Sequence, residues 1–256
     1  MLPLFKSDFS IGKSILTLDL PEKSKVGGAD SIFSIAISNK LKEVVLVEDS
    51  LTGFLQAYKN SEALDLNLIF GLRIVICSNL KSDPKDTEKK DESRIIIFAK
   101  NGSGCKLLNT IYSLAFTEGH GRIDYINLKK LWQKDNLLLA IPFYDSFIFK
   151  NAMFFSNCIP DFSFADPVFF TEDNGMPFDN IIKTKVEEYC SNKYEIENAK
   201  SIYYNERKDF AAFQTYKCIC NRNYSSKEIG LTNPNLEHCG SMEFSFESWK
   251  ENNEIS

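Results

Sequence analysis

Residues 43–47 read EVVLV and residues 94–99 read RIIIFA. Both runs are short, apolar and rich in β-branched residues, which is typical of strands that are buried on both faces. The run LNLIFGLRIVIC at 66–77 contains a further strand, and LLLAI at 137–141 and VFFT at 168–171 have the same character. These stretches predict a sheet that lies in the interior of the protein.

Segments with helical periodicity alternate with the strands. The clearest covers residues 106–116, with Ser103 as the expected N-cap and an apolar stripe of Leu107, Leu108, Ile111, Leu114 and Ala115. Further helices are expected at 31–42, 53–61, 178–191 and 208–220, and in 178–191 the inward residues are Ile181, Ile182, Val186 and Tyr189. This alternation predicts an α/β protein with a mainly parallel sheet, and periodicity leaves open whether the sheet is closed into a barrel.

Composition limits the classes of function. With 256 residues, of which 43% are hydrophobic, we expect a single domain over residues 1–256. The net charge of −5 argues against a nucleic-acid binder that relies on overall positive charge. Without an apolar leader or a long apolar stretch, the chain is expected to be cytoplasmic, with no membrane association. The charged segment 81–93 (KSDPKDTEKKDES) is expected to be a disordered or mobile loop between two strands.

Histidine and cysteine restrict the metal chemistry. Only two histidines occur, His120 and His238, so a site built from several imidazoles is excluded. Cys218, Cys220, His238 and Cys239 are four possible zinc ligands, but the C-x-C spacing is poor for a tetrahedral site. We therefore expect seven reduced cysteines and no metal here.

Several motifs occur in an order that is similar to one known family. The segments are 4–10 (LFKSDFS), 97–108 (IFAKNGSGCKLL), 113–119 (SLAFTEG), 170–177 (FTEDNGMP) and 200–204 (KSIYY). They resemble, in turn, H-x-H-S-x-[YF]-S, L-L-A-K-N-x-x-G-Y-x-N-L, S-x-A-x-x-E-G, E-x-Q-D-H-G-x-P and N-D-V-H-Y of the PHP domain of the bacterial DNA polymerase III α subunit. The resemblance implies a distorted TIM-like (β/α)7 barrel over the whole chain. It also implies either an excised domain or a stand-alone product such as a phage encodes.

The resemblance further implies that the metal ligands have been lost. Active members of the family hold several divalent metals with histidines and carboxylates. The corresponding positions here are Leu4, Lys6, Glu48 or Asp49, Arg73, Phe170, Asn174, Ser201 and Tyr203. Only the Glu48–Asp49 pair keeps a good ligand, and two of the replacements are cations, which repel a metal ion. We therefore expect no bound metal, no cofactor and no catalytic residues.

Lys6 and Arg73 leave two interpretations open. They could form an ion-pair cluster with Asp8 and Asp49 in place of the metals, or they could bind a phosphate or a nucleic-acid end. The same resemblance places them together at the ends of barrel strands.

Three hypotheses about function follow. The first is an inactive scaffold or interaction module in DNA replication that contacts the replicative polymerase or the proofreading exonuclease, and DNA only indirectly. Its candidate anchors are aromatic residues in 142–158, although most could instead belong to a buried helix: Phe143, Tyr144, Phe147, Phe149, Phe154 and Phe155. The alternative is a metal-dependent phosphoesterase or 3′–5′ exonuclease with a site rebuilt around Asp8, Glu48 and Asp49. The third is a viral decoy that mimics a host PHP domain.

Overall fold

The computed structural model describes residues 1–23, 27–80, 91–220 and 239–254. In this part of the chain eight strands occur: β1 (Leu2–Phe5), β2 (Glu43–Glu48), β3 (Asn67–Cys77), β4 (Ser93–Ala99), β5 (Arg122–Asp124), β6 (Leu137–Ile141), β7 (Val168–Thr171) and β8 (Glu195–Ile202). The α-helices of the same part are α1 (Ile32–Ser38), α2 (Phe54–Ala63), α3 (Gly102–Thr117), α4 (Tyr125–Leu131), α5 (Phe147–Phe154), α6 (Asp179–Cys190), α7 (Phe210–Cys220) and α8 (Phe246–Glu254).

Seven of these strands close into a barrel. The order is β2-β1-β8-β7-β6-β4-β3, and β3 pairs with β2 to complete the ring, while β5 pairs with β3 outside it. The predicted α/β class is therefore confirmed. The ring is a small mixed one, because β4 runs antiparallel to both β3 and β6 and the other pairs are parallel. Antiparallel neighbours need no crossover helix between them.

The charged segment lies between β3 and β4, as its composition predicts. Its residues 81–90 lie outside the described residues, so the expected mobility stays a prediction. At its end the predicted boundary is wrong, because Ser93 is buried and begins β4.

The strands separate two apolar cores, because successive side chains of a strand point to opposite faces. The core inside the barrel contains Leu4, Val45, Val47, Ile96, Phe98, Ala140, Phe170 and Ala199. The larger core lies between barrel and helices and includes Phe5, Leu46 and Ile97. Gly71 leaves room for this packing, because a Cβ atom there would lie 2.6 Å from the Phe98 ring. The strands predicted to be buried on both faces thus have that environment.

Two local predictions about helices are wrong. Asn101, not Ser103, is the N-cap of α3: its side-chain Oδ1 accepts a 2.9 Å hydrogen bond from the Gly104 backbone N–H. In α6, Ile182 and Val186 are buried as predicted, but Ile181 and Tyr189 are exposed. The buried stripe of α6 recurs every four residues, and a neighbour in sequence points about 100° away from it.

Candidate functional site

One end of the barrel collects most of the residues that sequence reasoning singled out. Lys6 follows β1, Asp49 follows β2, Arg73 lies in β3, and Ser201 and Tyr203 lie in and after β8. We call this end, with Lys6, Asp49, Arg73, Glu172, Ser201 and Tyr203, the mouth. Carboxyl ends of parallel strands meet there, and such ends carry the functional sites of barrel enzymes.

The remaining predicted positions are all buried: Leu4, Glu48, Phe170 and Asn174. Leu4 and Phe170 belong to the apolar core inside the barrel. Glu48 is fully buried, and it accepts a 2.8 Å hydrogen bond from the Ser7 backbone N–H and another from the Ser10 hydroxyl. Burial raises the pKa of the Glu48 carboxyl, so its charge is disfavoured.

The two cations of the mouth are paired with carboxylates. Lys6 Nζ lies 3.1 Å from Asp49 Oδ1, and an Arg73 guanidinium nitrogen lies 3.8 Å from the same atom. A second nitrogen of Arg73 donates to Asp145 Oδ2 at 2.7 Å. The structure therefore brings Lys6, Arg73 and Asp49 together. It adds Asp145, which follows β6 and carried no sequence signal, whereas Asp8 makes no ion pair in the described part of the chain.

Burial removes water from the charges of this cluster, which shifts their pKa values. Lys6 is only 4% exposed and Arg73 only 8%. Burial lowers the pKa of Lys6, with Asp49 opposing the shift. Burial alone would raise the pKa of Asp49, but Lys6, Arg73 and Arg94 outweigh it and hold that pKa well below its usual value. Asp49 thus stays ionised at neutral pH and holds the cluster together.

Arg94 is a further cation beside this cluster. It is the second residue of β4, whose antiparallel direction brings its first residues to the mouth, and its backbone N–H donates to the Asp145 carbonyl at 2.9 Å. Burial and the neighbouring Arg73 lower the pKa of Arg94. Sequence reasoning missed this residue because nothing in the sequence indicates that its strand runs antiparallel to its neighbours.

Glu172 anchors the other side of the mouth. Its carboxylate accepts 2.8 Å bonds from both the backbone N–H and the hydroxyl of Ser201, and a 2.9 Å bond from Asn174 Nδ2. The same Asn174 nitrogen donates to the Tyr144 hydroxyl, which donates to Asp179 Oδ1 at 2.9 Å. The signal for Glu172 was present in the sequence, because it lies two residues after the inward-facing Phe170 and so points the same way.

The mouth encloses a cavity of about 30 Å³, lined among others by Lys6, Arg73, Tyr144, Glu172 and Tyr203. This volume suits a water molecule or a small ion, whereas pockets for organic ligands measure about 300–1,000 Å³. Burial raises the pKa of both Tyr144 and Tyr203, so the two phenols are neutral at neutral pH. The arrangement is a filled, hydrogen-bonded barrel end with little free space.

Metal-binding groups were sought separately. In the ranges that the structure describes, no three His, Cys, Asp or Glu side chains come together in a way that could hold a metal ion. Of the possible zinc ligands, Cys218 and Cys220 lie at the end of α7 and Cys239 is buried, while His238 lies outside the described residues.

The six candidate aromatic anchors divide into two groups. Phe143, Tyr144, Phe147 and Phe149 are buried and belong to the core outside the barrel. Phe154 and Phe155 are exposed at the end of α5.

No family model matches the chain, and no curated protein is significantly similar to it. Within the described residues, no helix combines the length and the apolar character needed to cross a membrane.

Proposed function

We propose that this chain is a catalytically inactive PHP-like domain, a distorted TIM-like (β/α)7 barrel, that serves as a scaffold or protein-interaction module in DNA replication. Support for the family comes from the order of the sequence motifs and from a closed α/β barrel whose motif residues gather at one end. The proposed partners are the replicative polymerase and the proofreading exonuclease, with DNA contacted only through them.

The observation that carries the proposal of inactivity is the pairing of Lys6 and Arg73 with Asp49. Each cation stands at a position where the family has a metal ligand, and each contacts the carboxylate that could otherwise bind a metal. Two positive charges within a few ångströms of a would-be dication repel it strongly where the dielectric constant is low. The other carboxylate of the mouth, Glu172, is saturated by Ser201 and Asn174.

The first experiment measures metal content and hydrolysis on one purified sample. We expect less than about 0.1 equivalent of Zn, Mn and Fe, and no release of phosphate or 3′ nucleotides above a no-protein control. Asp49→Asn and Glu48→Gln are matched controls, because activity that both variants keep comes from a contaminant. Stoichiometric metal, with turnover that either variant abolishes, would contradict the proposal and support the rebuilt phosphoesterase or exonuclease.

The second experiment tests the partners. The cognate polymerase α subunit and the proofreading exonuclease are each mixed with the chain and analysed by size-exclusion chromatography and interferometry. Co-elution with either one is expected. The Kd of this complex should change little with salt concentration, because DNA is not the primary contact. Absence of binding to both would refute the proposed role in replication even if the protein proves inactive.

A further inference from the structure

An apolar knob projects from the outer side of the barrel where α5 ends. Phe154 is 62% exposed, Phe155 is 80% exposed, and Ile159 is 84% exposed. We call Phe154 and Phe155 the knob, while Ile159 belongs to the wall of the groove beside it. Single exposed apolar residues are ordinary, but three within six residues form a patch of the kind that marks protein interfaces.

The knob is held in place by specific hydrogen bonds. Asn151 donates to the Cys158 carbonyl at 2.9 Å and accepts from the Cys158 backbone N–H at 3.0 Å, which pins the segment to α5. Phe155 caps α5 in the left-handed conformation, with φ 53° and ψ 35°. That conformation is costly for a bulky residue and natural for Gly or Asn. A phenylalanine that is both strained and exposed points to a function at the surface.

A shallow, open groove of about 600 Å³ lies beside the knob, between α5 and α6. Its apolar lining includes Ile148, Ala152, Ile159 and Tyr189, and two of its polar lining residues are Lys185 and Glu188. Both charges are exposed, and neither makes an ion pair with any residue that the structure describes. One face therefore carries a projection, a recess and one charge of each sign.

We propose that this face is a two-fold interface between two copies of the chain, in which the knob of each copy enters the groove of the other. A two-fold interface requires one patch to be complementary to itself, so that residue i meets residue j and j meets i. The adjacent knob and groove meet this requirement for shape. Lys185 and Glu188 meet it for charge, because each can face the other residue in the second copy. The face is on the helical layer, so the proposal does not depend on the function of the mouth.

The first test removes the Phe155 side chain from the knob and keeps the left-handed backbone conformation at that position. Phe155→Asn keeps a residue that favours the left-handed cap, and Phe116→Asn, at another exposed phenylalanine, is the control. Sedimentation velocity from about 1 to about 100 µM should show a dimer for the native chain and the control, and at least about 100-fold weaker association for Phe155→Asn. At a concentration at which the native chain is monomeric, the thermal midpoint of Phe155→Asn should equal or exceed the native midpoint, which separates lost association from lost folding.

The second test uses charge reversal, which only a two-fold contact explains. Lys185→Glu alone and Glu188→Lys alone each create two repulsive contacts, so each should weaken the dimer about tenfold. An equimolar mixture of the two variants should form a heterodimer with native affinity, and the double variant should regain the homodimer.

Three results would overturn the inference. A native chain that stays monomeric at about 100 µM has no such interface. A dimer that Phe155→Asn leaves intact uses another surface. If Phe155→Asn instead abolishes binding to the polymerase or exonuclease while the native chain is monomeric, the face belongs to a different protein partner.

Discussion

Asp49 and Arg73 show how buried charges in this protein are balanced. Asp49 contacts two cations, and Arg73 contacts two carboxylates, so each charge that burial destabilises has at least one opposite neighbour. Such a network is sensitive to the loss of any one member, because the partners that remain are then buried without compensation.

Replacing Asp49 by Asn should therefore destabilise the fold. Lys6 and Arg73 lose a shared partner, and the free energy of unfolding at pH 7 should fall by about 3 kcal/mol. Asp166→Asn is the matched control, since its 2.7 Å ion pair with Lys134 is exposed and such pairs contribute about 0–1 kcal/mol. Urea denaturation of the native chain and the two variants measures the free energy of unfolding. An equal decrease in both variants would show that the Asp49 cluster contributes no more to stability than an exposed ion pair.

The same carboxylate gives a pH dependence with a definite sign. The pKa of Asp49 is depressed in the folded protein and ordinary, about 3.9, in the unfolded chain. Its contribution to stability is therefore fully present above about pH 4 and is lost as the pH falls through the lower folded pKa. The difference in stability between native protein and Asp49→Asn should therefore narrow as the pH falls below about 4, as followed by urea midpoints at each pH. A constant difference would mean that Asp49 is not ionised in the native cluster.

Elements with continuous apolar runs were predictable, and elements without them were not. β2, β3, β4, β6 and β7 each contain such a run and were identified from the sequence. β8 (EIENAKSI) was missed because its first half is largely exposed and carries two glutamates. The antiparallel direction of β4 also had no local signal, because the sequence of a strand buried on both faces is apolar throughout, whichever way the strand runs. Consequently the sequence located Lys6 and Arg73 but could not place Arg94 beside them.

The cap of α3 gives a prediction at this scale. Asn101 satisfies the Gly104 backbone N–H, and its side-chain nitrogen donates to Asn136 Oδ1 at 2.9 Å. Asn101→Ala should lower the free energy of unfolding by about 1 kcal/mol. Ser103→Ala is the control and should change it by less than about 0.5 kcal/mol, because Ser103 is exposed inside the first turn. Thermal unfolding of both variants decides the matter, and a larger loss for Ser103→Ala would contradict the assignment of the cap.

At the scale of the whole molecule, the ring joins distant parts of the chain. β1 lies between β2 and β8, so the first and last barrel strands are hydrogen-bonded neighbours, with Leu2 opposite Ala199. Trp249 of α8 donates its indole N–H to the Met1 carbonyl at 3.0 Å, which ties the last described helix to the first residue of the chain. A ring built in this way has no strand that can leave without opening two neighbours, which favours all-or-none unfolding.

The two tryptophans can test that cooperativity. Trp132 packs against Phe164, and Trp249 packs against Phe246. Trp132→Phe leaves Trp249 as the fluorescent probe, and Trp249→Phe leaves Trp132. We expect the fluorescence midpoint in urea to coincide with the midpoint from far-ultraviolet circular dichroism within each variant. Separate midpoints in either protein would show independently unfolding parts and contradict the prediction of a single domain.

The position of β8 also has a consequence for the growing polypeptide on the ribosome. When β1, β2 and β3 have been synthesised, β1 has a partner on one side only, and its other neighbour is still more than a hundred residues away. During that interval the open edges of β1 and β3 are available to the strands of other nascent chains. A cell that makes this protein rapidly would therefore depend on chaperones during translation, until the last strand leaves the exit tunnel and closes the ring.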